Sequence, residues 1–217
     1  MGWLKINNRK KFVVPERFQD NSFRYYKTPE GIFPSVTSIL GETKSTASKQ
    51  RLKNWQKFNK KEKERVLARG RNLDFFIQNW FDGKYCVPDD VQSQVVNFLM
   101  EIYPIGVEYP VHSCLGFAGC FDMLAEHKKK TVLIDWKTST KRKTAKDIED
   151  YFLQIVAYRY AMIETLGIHP DKCLIVICTE GYKKPTFFEI SNQQNIDEYE
   201  HKFFDRLKKY QKKHEEF

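Results

Sequence analysis

The sequence predicts an α/β or α+β fold: strand-like runs flanked by helical segments, with an N-terminal helical region ahead of them. Apolar residues follow a strand period of two in the runs 107–113, 119–126 and 131–136, and further strand-like runs lie at 173–178 and 185–190. Around these, at 48–81, 144–166 and 196–210, apolar residues recur at spacings of three and four, as on amphipathic helices. At 217 residues, 41% of them hydrophobic, the chain holds enough apolar material for one continuous core, so one domain is expected. Within it, 1–105 reads as short strands and helices, 106–190 as the sheet with its long helix, and 191–217 as a closing helix.

Taken in order, the first forty residues mix aromatics with Pro15, Pro29, Gly31 and Pro34, which suits short strands at 23–27 and at 31–32. Ser35 or Thr37 then caps a short helical turn through Leu40. From Ser48 the pattern is helical and basic, with Leu52, Trp55 and Phe58 on one side. A second helix is expected over 61–81, its inward stripe formed by Val66, Gly70, Leu73, Ile77 and Trp80 or Phe81. Asp74 shares that stripe. An acid there costs free energy unless it is paired, caps a backbone or binds a cation, so Asp74 is a metal-ligand candidate beside those plainer roles.

Pro88, Asp89 and Asp90 read as a helix start, and Val91, Val95, Phe98 and Ile102 as the packing stripe of a helix ending before Pro104. The three runs after Gly106, the last two joined by a turn at 127–130, suggest an antiparallel meander. Thr144 and Asp147 form a capping box for a helix carrying Ile148, Phe152, Ile155, Val156 and Ile163, which Gly167 ends. Ile196, Tyr199, Phe203, Leu207 and Tyr210 mark the closing amphipathic helix.

Thirty-seven Lys and Arg against 28 Asp and Glu give a formal charge of +9, which favours a polyanionic partner without choosing among nucleic acids and membrane surfaces. The basic residues are spread over 49–71, 128–130, 141–146 and 202–213, and many of them simply keep helix faces solvated. Five cysteines, without C-x-x-C spacing and mostly in strand-like segments, read as buried reduced thiols. Gly2 lacks the Ser or Thr of a myristoylation signal, no apolar leader precedes Lys10 and Lys11, and no run is long enough to span a membrane. A reducing compartment such as a bacterial or phage-infected cytoplasm is expected, with an organellar matrix as the alternative.

In the run 131–137 the strand period places Leu133, Asp135 and Lys137 on one face and Val132, Ile134 and Trp136 on the other. Burying an acid and an ammonium at the end of an apolar strand is costly unless something uses them; an ion pair at a sheet edge is the plain alternative. Asp122 lies in the preceding strand, and the turn at 127–130 folds it back beside Asp135. Phosphodiester cleavage needs oxygen ligands for divalent cations and a group that orients the attacking water. Asp122, Asp135 and Lys137 supply both.

The residues G-F-A-G-C-F-D, a hairpin, and I-D-W-K-T-S together resemble the core of RecB-like PD-(D/E)xK exonucleases. Gln154 and Tyr158, at i and i+4 in L-Q-I-V-A-Y, resemble the Q-x-x-x-Y element of that branch. V-E-Y-P-V around Glu108 is similar to the acidic residue ahead of the catalytic hairpin, and A-R-G-R-N-L-D to an R-G-x-x-x-H helix in which Asp74 replaces a metal-binding His. F-P-S-V-T-S-I-L resembles a segment near the start of exonucleases of the mitochondrial genome maintenance group.

The resemblance implies an α/β fold with a restriction-endonuclease-like core, a central mixed β-sheet flanked by helices, and one or two Mg²⁺ or Mn²⁺ ions held by Asp122, Asp135, the Trp136 carbonyl, Asp74 and Glu108. Lys137 would be the catalytic ammonium. Substrate contacts would come from Gln154, Tyr158, Thr138, Ser139, Arg69, Lys141 and Arg142, with weaker phosphate candidates in Lys143 and Lys146. Tyr25, Tyr26, Trp55 and Trp136 offer aromatic faces for bases. The implied substrate is DNA, with single-stranded ends cut by a monomer that needs no ATP and carries no iron-sulfur cluster. A structure-dependent endonuclease and a non-catalytic single-strand binding module are the competing readings.

Overall fold

A computed structural model of the chain describes residues 15–20 and 23–215; Gly2, Lys10 and Lys11 lie outside them. The chain opens with a three-stranded antiparallel sheet: β1 (Glu16–Asp20), β2 (Phe23–Thr28) and β3 (Gly31–Pro34). The sequence pattern gives β2 and β3 but not β1, whose residues are mostly polar. β1 is recruited by pairing with β2, where Phe18 stacks on Tyr25 at 5.7 Å between ring centroids. Helix α1 (Val36–Glu42) follows. Ser35, not Thr37, caps it by accepting from the Ser38 amide, and a bridge from Ser35 to Ala118 ties this corner to the main sheet.

Helix α2 (Thr46–Phe58) starts two residues before the apolar pattern does, because Ser45 caps it. None of its residues is buried among the described residues, and Phe58 is 77% exposed. Helix α3 (Lys60–Phe81) runs on from it and buries Arg69, Leu73, Phe76 and Ile77. The helix expected from Pro88 to Ile102 is overturned. A 3-10 turn (Gln92–Gln94) and the short α4 (Val96–Leu99) replace it, and Ile102 instead opens strand β4 (Ile102–Ser113), with Pro104 inside the strand. Proline is tolerated there because β4 is an edge strand whose register shifts between Pro104 and Gly106.

The main sheet has the order β4-β5-β6-β7-β8, with β5 (Phe117–His127), β6 (Lys130–Ser139), β7 (Lys172–Thr179) and β8 (Thr186–Ile190). Strands β4, β5 and β6 form the expected antiparallel meander. The β5–β6 turn places Lys128 and Lys129 at φ 52° and 63°, the left-handed pair of a tight hairpin, here without its usual Asn-Gly. Helix α5 (Glu149–Leu166) then carries the chain across one face so that β7 runs parallel to β6, while β8 returns antiparallel; the sheet is therefore mixed. The Thr144–Asp147 capping box precedes a 3-10 turn ahead of α5, and Gly167 at φ 66° ends the helix.

The two faces of β6 lead into two cores, as its alternation requires. Leu133 joins the layer made with α1, α5 and the closing helix α6 (Gln193–Glu215), where Ile196, Phe203, Leu207 and Tyr210 are buried. Val132, Ile134 and Trp136 join the layer made with α3 and α4. The thiol expectation holds for Cys173 and Cys178, which are buried, but Cys114 is exposed and Cys86 and Cys120 are half-buried; all five are free. Among the described residues no helix is long and apolar enough to cross a membrane.

Candidate active site

Asp135 and Lys137 leave β6 on the side covered by α5. Asp135 is 1% exposed, and Lys137 Nζ stands 2.6 Å from its Oδ2, an ion pair outside hydrogen-bond alignment. The other carboxylate oxygen, Oδ1, accepts from Gln154 Nε2 at 3.2 Å, and the same amide group reaches the Tyr158 hydroxyl at 3.2 Å. Gln154 and Tyr158 thus share a helix face behind the acid, as their i, i+4 spacing predicts. Tyr151, three residues before Gln154, completes the stripe: its ring centroid lies 5.4 Å from Lys137 Nζ, a cation–π distance. The sequence reading missed Tyr151, although the spacing that found Gln154 and Tyr158 also passes through it.

Asp122 comes from β5. The β5–β6 ladder ends at the pair Met123 and Ile134, and one step beyond it Asp122 Oδ2 accepts the Trp136 amide at 2.8 Å. A side chain there replaces the missing ladder acceptor. Because N–H and C=O of one strand residue leave the same edge, the Trp136 carbonyl is also on the Asp122 side. Glu108 reaches the same region from β4, since Val107 pairs with Met123 and Tyr109 with Phe121. Its backbone is left-handed, φ 47°, at a non-glycine residue, and its Oε2 accepts from Cys120 Sγ at 3.6 Å. Asp74 arrives from α3.

These four acids repel one another with one ammonium among them. Burial, then the Asp122 charge, pushes Asp74 up to about 6, with Lys137 opposing. Glu108 is an exposed residue, yet desolvation of its carboxylate, then the charges of Asp122 and Asp74, pushes it up to about 7. Burial also raises Asp135 against the pull of Lys137. For Lys137, burial works against the charged form, but Asp135 and then Asp122 outweigh it, so the ammonium stays protonated.

Among the described residues no three His, Cys, Asp or Glu side chains stand close enough together to form a finished metal cage. The donors nonetheless fit a hard divalent cation. Asp135 Oδ2 is buried with only the Lys137 ammonium beside it, the side-chain donors are carboxylate oxygens, and burial together with mutual repulsion raises the pKa values of Asp74 and Glu108. Asp122, Asp135 and the Trp136 carbonyl, with Asp74 and Glu108, are the residues that would close on such an ion.

The remaining candidates separate. Thr138 is half-buried under α3, where a Cβ on Gly70 would stand 4.0 Å from its Oγ1. Ser139 is buried and closes the turn after β6: its hydroxyl donates to the Lys141 carbonyl at 2.6 Å and accepts the Lys141 amide at 3.2 Å. Lys141 and Arg142 are exposed beyond that turn, Arg142 lying over the Tyr182 ring, with Lys143 half-buried and Lys146 exposed. Arg69 is buried and paired with Glu180, a partner from the end of β7 that the sequence reading did not find. Tyr26 and Trp136 are buried, which removes them as base platforms; Trp136 packs edge-on against Phe98 at 5.9 Å. Tyr25 and Trp55 keep exposed surface.

A mixed sheet that brings together an acid from β5 and an acid-lysine pair from β6 defines a nuclease class. The profile of the PD-(D/E)XK nuclease superfamily matches residues 39–216, and the chain belongs to that superfamily. Over 241 aligned positions it is 27% identical to mitochondrial genome maintenance exonuclease 1 of Xenopus tropicalis, covering 99% of this chain and 70% of that protein. The crystal structure of SSO0001 is matched over 78% of this chain and 73% of that one, at 14% identity and a TM-score of 0.38, too low to bear on the argument. The protein is thus a nuclease by family, and nucleases of this superfamily typically use divalent metal ions.

Proposed function

We propose that the protein is a Mg²⁺- or Mn²⁺-dependent exonuclease that hydrolyses phosphodiester bonds at single-stranded DNA ends. The observation that carries this reading is the meeting of Asp122, Asp135 and Lys137 on one side of the sheet, with Gln154 clamping the buried acid from α5. Support for a single-stranded substrate comes from α2, a basic helix that buries none of its residues and holds Trp55 in the open. The relative from Xenopus tropicalis, an exonuclease by name, supports cutting from ends.

A divalent cation held by Asp122, Asp135, the Trp136 carbonyl, Asp74 and Glu108 would supply Lewis acidity toward the phosphate and the attacking water. Lys137, kept protonated by Asp135, orients that water as a donor and offsets charge gathering on the phosphate oxygens; it is not the base. Gln154 fixes Asp135, and Tyr158 fixes Gln154, so the lysine's partner cannot swing away. Lys141 and Arg142, exposed past the end of β6, hold the strand by its phosphates. The protein acts as a monomer, in one domain, without ATP.

Digestion of end-labelled single-stranded, duplex and circular DNA by wild type and Lys137→Ala tests the reading. Wild type releases nucleotides from linear single strands in Mg²⁺ and leaves circles intact, and Lys137→Ala folds but releases nothing. Cut circles would identify an endonuclease instead. Tight binding with chelator present and no release under any divalent ion would leave a binding module.

A further inference from the structure

Arg69 is 9% exposed, yet its guanidinium is only partly used. Nη1 donates to Glu180 Oε1, whereas Nε and Nη2 are buried and have no hydrogen-bond partner among the described residues. Leaving two donors of a cation desolvated and unpaired is costly, and such groups call for a ligand. The position suits one. The next residue, Gly70, lies against Thr138, so Arg69 sits where α3 crosses the end of β6. Asp74 is five residues further along, about 7.5 Å at the helical rise of 1.5 Å per residue.

Glu180 is the fixed point of this arrangement. Its amide donates to the Ser139 carbonyl at 3.0 Å, which ties the residue after β7 to the end of β6. Its carboxylate takes Arg69 on one oxygen and Arg65 on both, the Arg65 Nη2 contact at 3.0 Å, while Arg65 also holds Glu62 at 2.7 and 2.8 Å. Arg65 is half-exposed, so its own bridges add little stability. Arg69 differs: one end of its guanidinium is anchored, and the buried Nε–Nη2 edge is left unpaired among the described residues. That edge carries two parallel donors, the geometry that takes two oxygens of a phosphate at once.

We propose that Arg69 seats a phosphodiester of the substrate strand beside the one cut, and that Glu180 is the positioning residue that aims its unpaired edge. The inference rests on the reading of the protein as a single-strand nuclease. An ion pair serving only stability would have no use for the two unfilled donors.

Binding of a fluorescent oligothymidylate to the full chain, measured in chelator over a range of salt concentrations, tests it. Each phosphate contact to a single strand contributes a slope of about −0.7 in log K against log salt. Glu180→Ala should weaken binding about tenfold at low salt and make the slope shallower by about 0.7. Glu180→Gln, which keeps an acceptor for Nη1, should recover most of the loss. Arg69→Ala should match Glu180→Ala, and the double variant should add nothing further. If wild type binds and cleaves, but Glu180→Ala keeps the wild-type slope and only melts earlier, Glu180 is structural and the inference fails alone. A wild type that binds no single strand overturns the inference together with the reading beneath it.

Discussion

Tyr158 fills the space that a side chain at position 119 would need: a Cβ on Gly119 would stand 2.2 Å from Cε1 of the tyrosine ring. The glycine in β5 is what allows α5 to press its Gln154–Tyr158 face onto Asp135. Two segments of the recognised motif are therefore one packing unit, although they are far apart in the chain.

Gly119→Ala should destabilise the fold by about 1–3 kcal/mol, the usual range for overpacking, and should reduce nucleotide release by displacing the tyrosine that steadies Gln154. Urea denaturation and single-strand digestion measure the two effects. Adding Tyr158→Leu to Gly119→Ala should recover stability relative to the sum of the single variants, because the two positions share one space. Strict additivity would mean that the ring is not the obstacle.

Tyr151 supplies an aromatic face to the Lys137 ammonium. Tyr151→Phe keeps that face and should keep turnover near wild type. Tyr151→Leu loses roughly 0.5–2 kcal/mol of cation–π attraction, so kcat should fall roughly two- to thirtyfold with little change in KM. Steady-state kinetics on a labelled single strand read this directly. Equal rates for the two variants would show that Asp135 alone holds the lysine.

Glu42, at the end of α1, is gripped by Lys213 and His214 of α6. Burial pulls its pKa upward, but the hydrogen bonds from Lys213 and His214 prevail and hold it below the usual carboxylate range. A depressed folded-state pKa adds stability above the unfolded value of 4.5, and that stability is lost as pH falls through the folded value. Thermal melts should therefore show wild type losing stability faster than Glu42→Gln as pH drops below about 4.5. At pH 7 the variant should be about 1 kcal/mol less stable, a modest figure because both partners are largely exposed. Parallel acid-side curves would remove this clasp from the stability of α6.

Strand β6 was legible because its information is local. A period of two in 131–137 fixes which side chains share a face, and the hairpin ahead of it fixes which acid comes alongside. The stripe on α5 was equally plain, and so was the mixed sheet that the resemblance implies. What the sequence hid depends on partners far along the chain. Glu180 sits 111 residues from Arg69, and no local pattern marks it. Pro104 looked like a helix stop because nothing nearby announces that β4 is an edge strand. Tyr26 and Trp136 carry the same residue types as stacking platforms, and only the layers packed on them decide that they are core. On α2 the error ran the other way: an apolar stripe promises a packing partner, and none of its residues is buried.

Calorimetric titration of Mn²⁺ into the full chain, wild type beside Asp122→Asn and Asp135→Asn, tests the central claim most directly. Wild type should bind the ion, and each variant should bind it at least about tenfold more weakly, the lower end of the loss seen when even a residue behind a metal ligand is changed. Thermal melts without metal would show each variant folded. Equal Mn²⁺ affinity in all three proteins would mean that these two carboxylates do not hold the cation, and the proposed chemistry of the site would be wrong.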